Sequence, residues 1–393
     1  MRRCALAAAL VVVAAAVALR GQARPASAPS TPVWLEQAAR AGAEMRLDAG
    51  AALLARVFIE QPGDPEAWRA RLPLARLLAL GGDTAGALLQ CQGLRNAVAA
   101  DHPAQREALD LASVLARRLR TGLTPMYFSQ AALAGPRGIP AMNEPTAVAL
   151  DLKGRYLAVD AGAGRAYLVT GDTATMVGAA EQIDAGTLLP DGTTVLASKN
   201  GIATGSGKPV LYSTTVQNRP RPLRKIRSLA STSTGDLLVA DRDADGLLRC
   251  KAGTTTCATW GPPGRVWTVK VGVLDSVYLL DDRQETVRAL DASGRLVAAA
   301  GGAQAAPDRL QGLVDIAVDA AYGVYLLDKD KRIHVLLLHA AAAGKPAALD
   351  RLATYLLPAD EPRAIKYPAS LVVFPDGSVL VAGRSTARFL RLQ

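Results

Sequence analysis

One phrase returns along the last two thirds of this chain. Its clearest copies are AVALDLKGRYLAVDAGAGRAYLV from Ala147, SLASTSTGDLLVADRDADGLLRC from Ser228 and DIAVDAAYGVYLLDKDKRIHVLLL from Asp315. Each copy holds an alternating apolar stretch, a small turn with Gly, a second stretch ending in Asp, a polar turn and a third stretch. Alternation with period two marks strands that bury one face. Turns this short leave room only for antiparallel hairpins.

Such units at a spacing of about 40–50 residues predict a β-propeller. Six units are expected from Asn143 onward, with the turn after the second strand at Asp160, Lys199 or Asn200, Asp241, Asp281, Asp328 and Gly383. The distance from Asp160 to Asp241 leaves room for one degenerate unit, and the wider later spacings require insertions. One insertion is expected at residues 340–352, whose Ala-rich sequence suggests a short helix. The last unit has SLVVF, SVLVA and ARFLRL but no fourth stretch, which would leave an unpaired edge. MYFSQAAL, residues 126–133, is therefore expected to close the last blade as its outer strand.

Upstream, the period changes to helical. Ala51, Leu54, Val57 and Phe58 share one face, and Trp68, Leu72, Ala75 and Ala79 form the next stripe after a break at QPGDP. Asp83-Thr84 and Asp101 suit helix caps, and Pro65 and Pro103 suit first turns. The string QPGDPEAWRARLPLARLLALGGDTAGALLQC resembles a tetratricopeptide repeat through Pro65-Glu66-Ala67-Trp68, Gly82-Asp83 and Ala85/Ala87. Pro73, inside the expected first helix, departs from that pattern. The resemblance implies a helical surface for proteins or peptides.

The recurring units resemble the NHL repeat family. Pro145-Thr146-Ala147-Val148-Ala149-Leu150-Asp151, Gly154, Val159-Asp160 and Gly164-Arg165 carry the likeness, repeated at residues 315–319, Gly323, Asp328 and Arg332-Ile333. The recurring Asp is read as structural, accepting from backbone donors of its own turn. The fold class is thus multidomain: an N-terminal helical, tetratricopeptide-like module over residues 33–122 and a six-bladed all-β propeller over residues 123–393.

Residues 1–23 read as a secretory signal, with Arg2 and Arg3 before an apolar run from Ala5 to Leu19 and cleavage before Arg24. Residues 24–32, RPASAPSTP, form a linker. The expected location is periplasmic or extracellular. No spanning segment remains after cleavage, although an uncleaved signal would serve as an anchor. Export permits a disulfide between Cys250 and Cys257, which flank a Gly-containing turn in LLRCKAGTTTCATW. Cys91 reads as a small buried residue. Removing Arg2, Arg3 and Arg20 from the formal +10 leaves +7, an excess that favours acidic partners.

Sites for chemistry are few, and no catalytic residue or cofactor is expected. His334 and His339 lie five apart in one strand and face opposite sides, and His102 precedes a proline. DRDADG offers Asp241, Asp243 and Asp245 as the start of a calcium loop. Its closing positions are Arg249 and Ala252, which supply no carboxylate. Asn143-Glu144-Pro145 resembles the opening of gluconolactonase-type propellers, which implies a metal-dependent hydrolase at the channel mouth as an alternative function. The residues preceding the innermost strands are read as Glu144, Glu181, Lys225, Arg265, Gln311 and Lys366, a set with three cations that disfavours a dication. Asp184 and Asp315 remain candidates to point into the channel. The densest charge is RPRPLRKIR, with Arg219, Arg221, Arg224, Lys225 and Arg227 on one rim. The leading expectation is a non-catalytic binding or scaffold protein of the cell envelope. Its partner is an envelope protein, acidic polymer or headgroup. Nucleic acid is not expected, since no aromatic residues interleave with the charge.

Overall fold

The computed structural model describes residues 30–119, 133–134 and most of 142–392, with short internal segments omitted, so the signal sequence at 1–23 and residues 24–29 of the linker lie outside the described residues. Five helices come first: α1 (Thr31–Ala43), α2 (Leu47–Glu60), α3 (Arg71–Leu80), α4 (Thr84–Ala97) and α5 (Pro103–Leu119). Each packs against the next in sequence. The stretch expected as one helix around Trp68 is a 3-10 turn, Ala67–Ala70, followed by α3. That break resolves the misfit at Pro73. It falls in the first turn of α3, where a missing N–H costs no intrahelical bond.

Thr31 and Pro32, assigned to the linker, already belong to α1. Asp83 caps α4 as expected, its Oδ1 accepting from Gly86 N at 2.8 Å. At α5 the side chain that accepts is His102 rather than Asp101. Its Nδ1 takes the Ala104 N–H at 3.2 Å, because the helix starts at Pro103 and leaves residue 102 at the cap. Cys91 is buried between the helices, and burial pushes its thiol up to about 11.

From Pro145 the chain forms six sheets among the described residues, each built on consecutive antiparallel strands in up-and-down order, with extra strands added at the outer edge of the third and sixth. Their innermost strands are Pro145–Leu150, Ile183–Leu188, Ile226–Ser231, Thr268–Val271, Leu313–Val318 and Tyr367–Val373. Each touches the innermost strand of the next sheet, and the last touches the first, so the sheets close into a ring. The architecture is a five-helix region followed by a β-propeller. Leu133 and Ala134 pair outside the final strand, Leu133 opposite Phe389, and supply the outermost strand of the sixth sheet. Residues 126–132 lie outside the described residues.

Two segments differ from the sequence reading. Residues 348–352 of the expected helix belong instead to a strand, Ala348–Leu356, which pairs along the whole of Arg332–His339; residues 340–346 lie outside the described residues. The long third strand needs an outer partner for its ladder, and this requirement outweighs the helix propensity of alanine. The third sheet has six strands. A hairpin of Ser213–Val216 and Arg219–Pro222 joins it by parallel pairing to Thr256–Trp260. The Leu223 N–H bonds inward to Tyr212 O, so by alternation Pro220 and Pro222 face outward and leave that sheet edge without donors there. The disulfide forms as expected: Cys250 and Cys257 are directly opposed partners and are bonded.

Helices and ring share one core. Trp34, Leu54, Val57, Leu77 and Leu80 are buried with Tyr278, Leu280, Leu326 and Leu336. The contacts fall on the hairpin turns that follow the first and third strands of a sheet. Ala292 N donates to Ala43 O at 3.3 Å, Arg295 Nη2 donates to Glu44 O at 3.2 Å, and Ala321 is buried with Ala87 and Leu111. A side chain on Gly42 would come within 2.8 Å of Leu274, so glycine is what lets α1 close on its turn. Among the described residues no helix is long and apolar enough to cross a membrane.

Candidate functional site

In an up-and-down ring the turns after strands one and three share one face. The segments leading into each sheet and the turns after strand two share the other. The helices cover the first face over the fourth, fifth and sixth sheets, and among the described residues the second face stands open around the mouth of the ring.

The recurring Asp builds this open face. Asp160 is 2% exposed, and its carboxylate accepts from Asn143 N and Glu144 N at 2.8 Å each and from Ala163 N at 3.2 Å. Asp281 accepts from Arg283 N, and Asp328 accepts from Arg332 N at 2.8 Å. The structural role read from the repeat is what the hydrogen bonds show: the carboxylate stitches its own turn and, in the first sheet, the incoming chain as well. At Asp328 the stitch extends to His334, which bridges Asp328 and Thr354 at 3.0 Å on either side. His339 lies 3.9 Å from Asp350, away from His334.

Just inside the mouth, five of the six innermost strands carry a register shift, and the unpaired residues are Thr146, Asp184, Arg227, Val314 and Ala369. In the fourth sheet Trp267 takes this place, its N–H reaching Leu280 O while Thr268 is the paired residue. A bulge turns one side chain out of the ladder, and of these residues Val314 lines a cavity and Arg227 reaches the Trp267 ring. The same register corrects the set of residues that precede the strands. Relative to the turn residue opposite, the equivalent positions are Glu144, Gln182, Lys225, Arg265, Gly312 and Tyr367. Glu181, Gln311 and Lys366 were one residue out of step, because loops of unequal length lead into those sheets. Lys366 itself lies outside the described residues.

One side of the mouth is a stack. The guanidinium of Arg227 lies 4.6 Å from the Trp267 ring centroid, and that of Arg265 lies 5.8 Å from it. Burial raises the carboxyl of Asp184 above its ordinary range, and Arg227 opposes that shift. Asp315 does not open into the channel. It is buried, accepts from Leu371 N at 2.9 Å and from Ser370 Oγ, and lies 3.8 Å from Lys270, so it ties the fifth sheet to the sixth.

The other side is a cavity of about 650 Å³ lined by Asn143, Glu144, Val314, Lys329, Tyr367, Pro368 and Arg384. Lys329 runs its aliphatic stem over Gly312, where a Cβ would meet it at 2.6 Å and where φ is +61°, and Lys329 N donates to Gly312 O. Lys329 and Arg384 have no ion-pair partner among the described residues. The sequence reading missed Trp267, Lys329, Tyr367 and Arg384. Their signal is positional, since Trp267 and Tyr367 sit at a strand start and Lys329 and Arg384 at the end of a second strand.

The basic run is partly neutralised. Arg221 lies 3.4 Å from Asp241 and 3.9 Å from Asp243, and Lys225 lies 3.0 Å from Asp243 and holds its carboxyl below the usual range. Arg219 and Arg224 are exposed, and Arg227 joins the stack. In the candidate calcium loop Asp241 accepts from Asp243 N, while Asp245 is exposed. No group of three His, Cys, Asp or Glu suited to a metal comes together among the described residues.

No family model matches this chain, and no curated protein sequence matches it. Solved structures similar to it include a streptogramin B lyase, 11% identical over 68% of this chain and 97% of that one, with a TM-score of 0.46. The selenomethionine-substituted virginiamycin B lyase from Staphylococcus aureus is 13% identical over 68% and 99%, with a TM-score of 0.45. The β-propeller domain of Cps50 (Swd1) from Myceliophteria thermophila is 9% identical over 68% and 99%, with a TM-score of 0.46. The ring fold of the present chain rests on its own sheet order.

Proposed function

We propose that this chain is an exported, non-catalytic recognition protein of the cell envelope, an NHL-type six-bladed propeller with a tetratricopeptide-like helical module. The open mouth of the ring takes an acidic partner, and the helices brace the opposite face. The observation that carries this reading is the cavity beside Lys329 and Arg384, two cations without an ion-pair partner among the described residues. Arg227 and Arg265 lie across the mouth, and Arg219 and Arg224 extend the positive field along the rim. Such a field raises the local concentration of anions and weakens with salt.

The alternative, a metal-dependent hydrolase, is favoured by Asn143 and Glu144, which do line the cavity. One carboxylate and one amide facing two cations do not fit a divalent ion, so no step is drawn through a metal. The test is retention of the full chain on polyglutamate and on anionic vesicles at rising salt. Binding that falls with salt, and about tenfold weaker binding for Lys329→Gln/Arg384→Gln, is expected. Retention unchanged in that variant would overturn the assignment of the mouth. Calorimetric binding of calcium or zinc, lost in Glu144→Gln, would favour the hydrolase instead.

A further inference from the structure

The cavity holds more than positive charge, and its other groups narrow the partner. Tyr367 is 64% exposed at its rim, so the flat face of its ring stands open to solvent, while Pro368 beside it is buried. Asn143 offers an amide and Glu144 a carboxylate in the same cavity as Lys329 and Arg384. A partner carrying only negative charge would be repelled by Glu144. A partner that also carries hydroxyl groups would be held by it, since a carboxylate accepts from O–H donors.

Four demands therefore meet in one concave space: an anionic group for Lys329 and Arg384, hydroxyl donors for Glu144, mixed donor and acceptor chemistry for Asn143, and a flat face for Tyr367. The groups are also held in place. Asp160 fixes the backbone of Asn143 and Glu144, and Gly312 seats the stem of Lys329. A cavity of about 650 Å³ falls within the range that takes a small ligand or a short oligomer.

Resting on the reading of the mouth as an anion site, we infer that its ligand is an acidic saccharide, a chain of carboxylate-bearing sugars. Lys329 and Arg384 clamp a carboxylate, Glu144 and Asn143 read ring hydroxyls, and a sugar ring lies on Tyr367. Across the mouth, Arg227 and Arg265, braced on Trp267, are placed to meet the next carboxylate of the chain.

The experiment titrates the full chain with a galacturonate tetramer, with its methyl ester and with polyglutamate of similar charge. The tetramer is expected to bind, and the uncharged ester to bind at least tenfold more weakly. Tyr367→Ala is expected to lose about tenfold for the tetramer while polyglutamate retention is unchanged. Arg384→Gln should weaken both. Equal binding of the tetramer and polyglutamate, with Tyr367→Ala indifferent for both, would overturn the saccharide while leaving the anion site standing and would point to an acidic peptide. No effect of Arg384→Gln on either probe would remove the anion site and the saccharide together. Because Tyr367 and Arg384 are exposed, their variants are expected to fold, which unchanged melting temperatures would verify.

Discussion

Replacing Asp160 by Ala tests how the repeat builds its site. The carboxylate is buried and accepts three backbone N–H groups, two of them from Asn143 and Glu144, the residues that line the cavity. Hydrogen bonds to a charged group contribute about 1.5–3 kcal/mol each, and a buried donor left unpaired costs about 1–3 kcal/mol. Asn143 and Glu144 are exposed, so water can reach their amides and offset part of the loss. The net destabilisation is then about 3–4 kcal/mol for Asp160→Ala. Asp160→Asn keeps one oxygen acceptor and should lose about half as much. Urea unfolding gives the ordering, and amide hydrogen exchange at Asn143 and Glu144 localises it. Both amides should exchange faster in Asp160→Ala, and anion binding should weaken with them. An Asp160→Ala protein within 0.5 kcal/mol of the parent would refute the argument that the repeated Asp supports the mouth.

The disulfide closes a loop with a sequence separation of 7, worth about 2.5 kcal/mol by loop-closure entropy, so Cys250→Ser/Cys257→Ser should melt lower; an unchanged melt would remove that contribution. Burial alone would raise the carboxyl of Asp236, but bonds from Ala252 N and Arg249 outweigh it and lower it. A lowered carboxyl contributes stability that is present above its unfolded value of about 3.9 and is lost as pH falls through the folded value. Asp236→Asn should therefore destabilise the protein at pH 7, with the gap closing below about pH 4; a gap independent of pH would contradict this. Gly42→Val forces α1 against Leu274 and should cost about 1–3 kcal/mol in thermal unfolding, whereas no loss would mean that the helices do not close on that turn.

Much of the ring was legible because its rules are local. Period-two alternation and a buried Asp at a second strand's end mark a sheet wherever they occur, and Asp160, Asp241, Asp281 and Asp328 end the second strands of four sheets. The hairpin cysteines were legible for the same reason. What escaped depends on register and on distant packing. A one-residue shift separates Gln311 from Gly312 and Lys366 from Tyr367, and no local pattern sets the length of the loop before a strand. The Ser213–Pro222 hairpin docks by parallel pairing with a strand about 40 residues later, a contact with no signature of its own. The alanines suggested a helix through residue 352, but residues 348–352 pair with a long third strand that demands a partner. The cavity escaped because Glu144, Lys329, Tyr367 and Arg384 come from three sheets that only ring closure brings together.

The most direct measurement is hydrogen exchange of the full chain with and without a bound anionic oligomer, galacturonate tetramer or polyglutamate, at low salt. The account predicts protection concentrated at residues 143–144, 312–314, 329, 367–369 and 384, with no change in α1 to α5. Protection confined to the helices or to the Ser213–Pro222 hairpin, with the mouth unchanged, would contradict it.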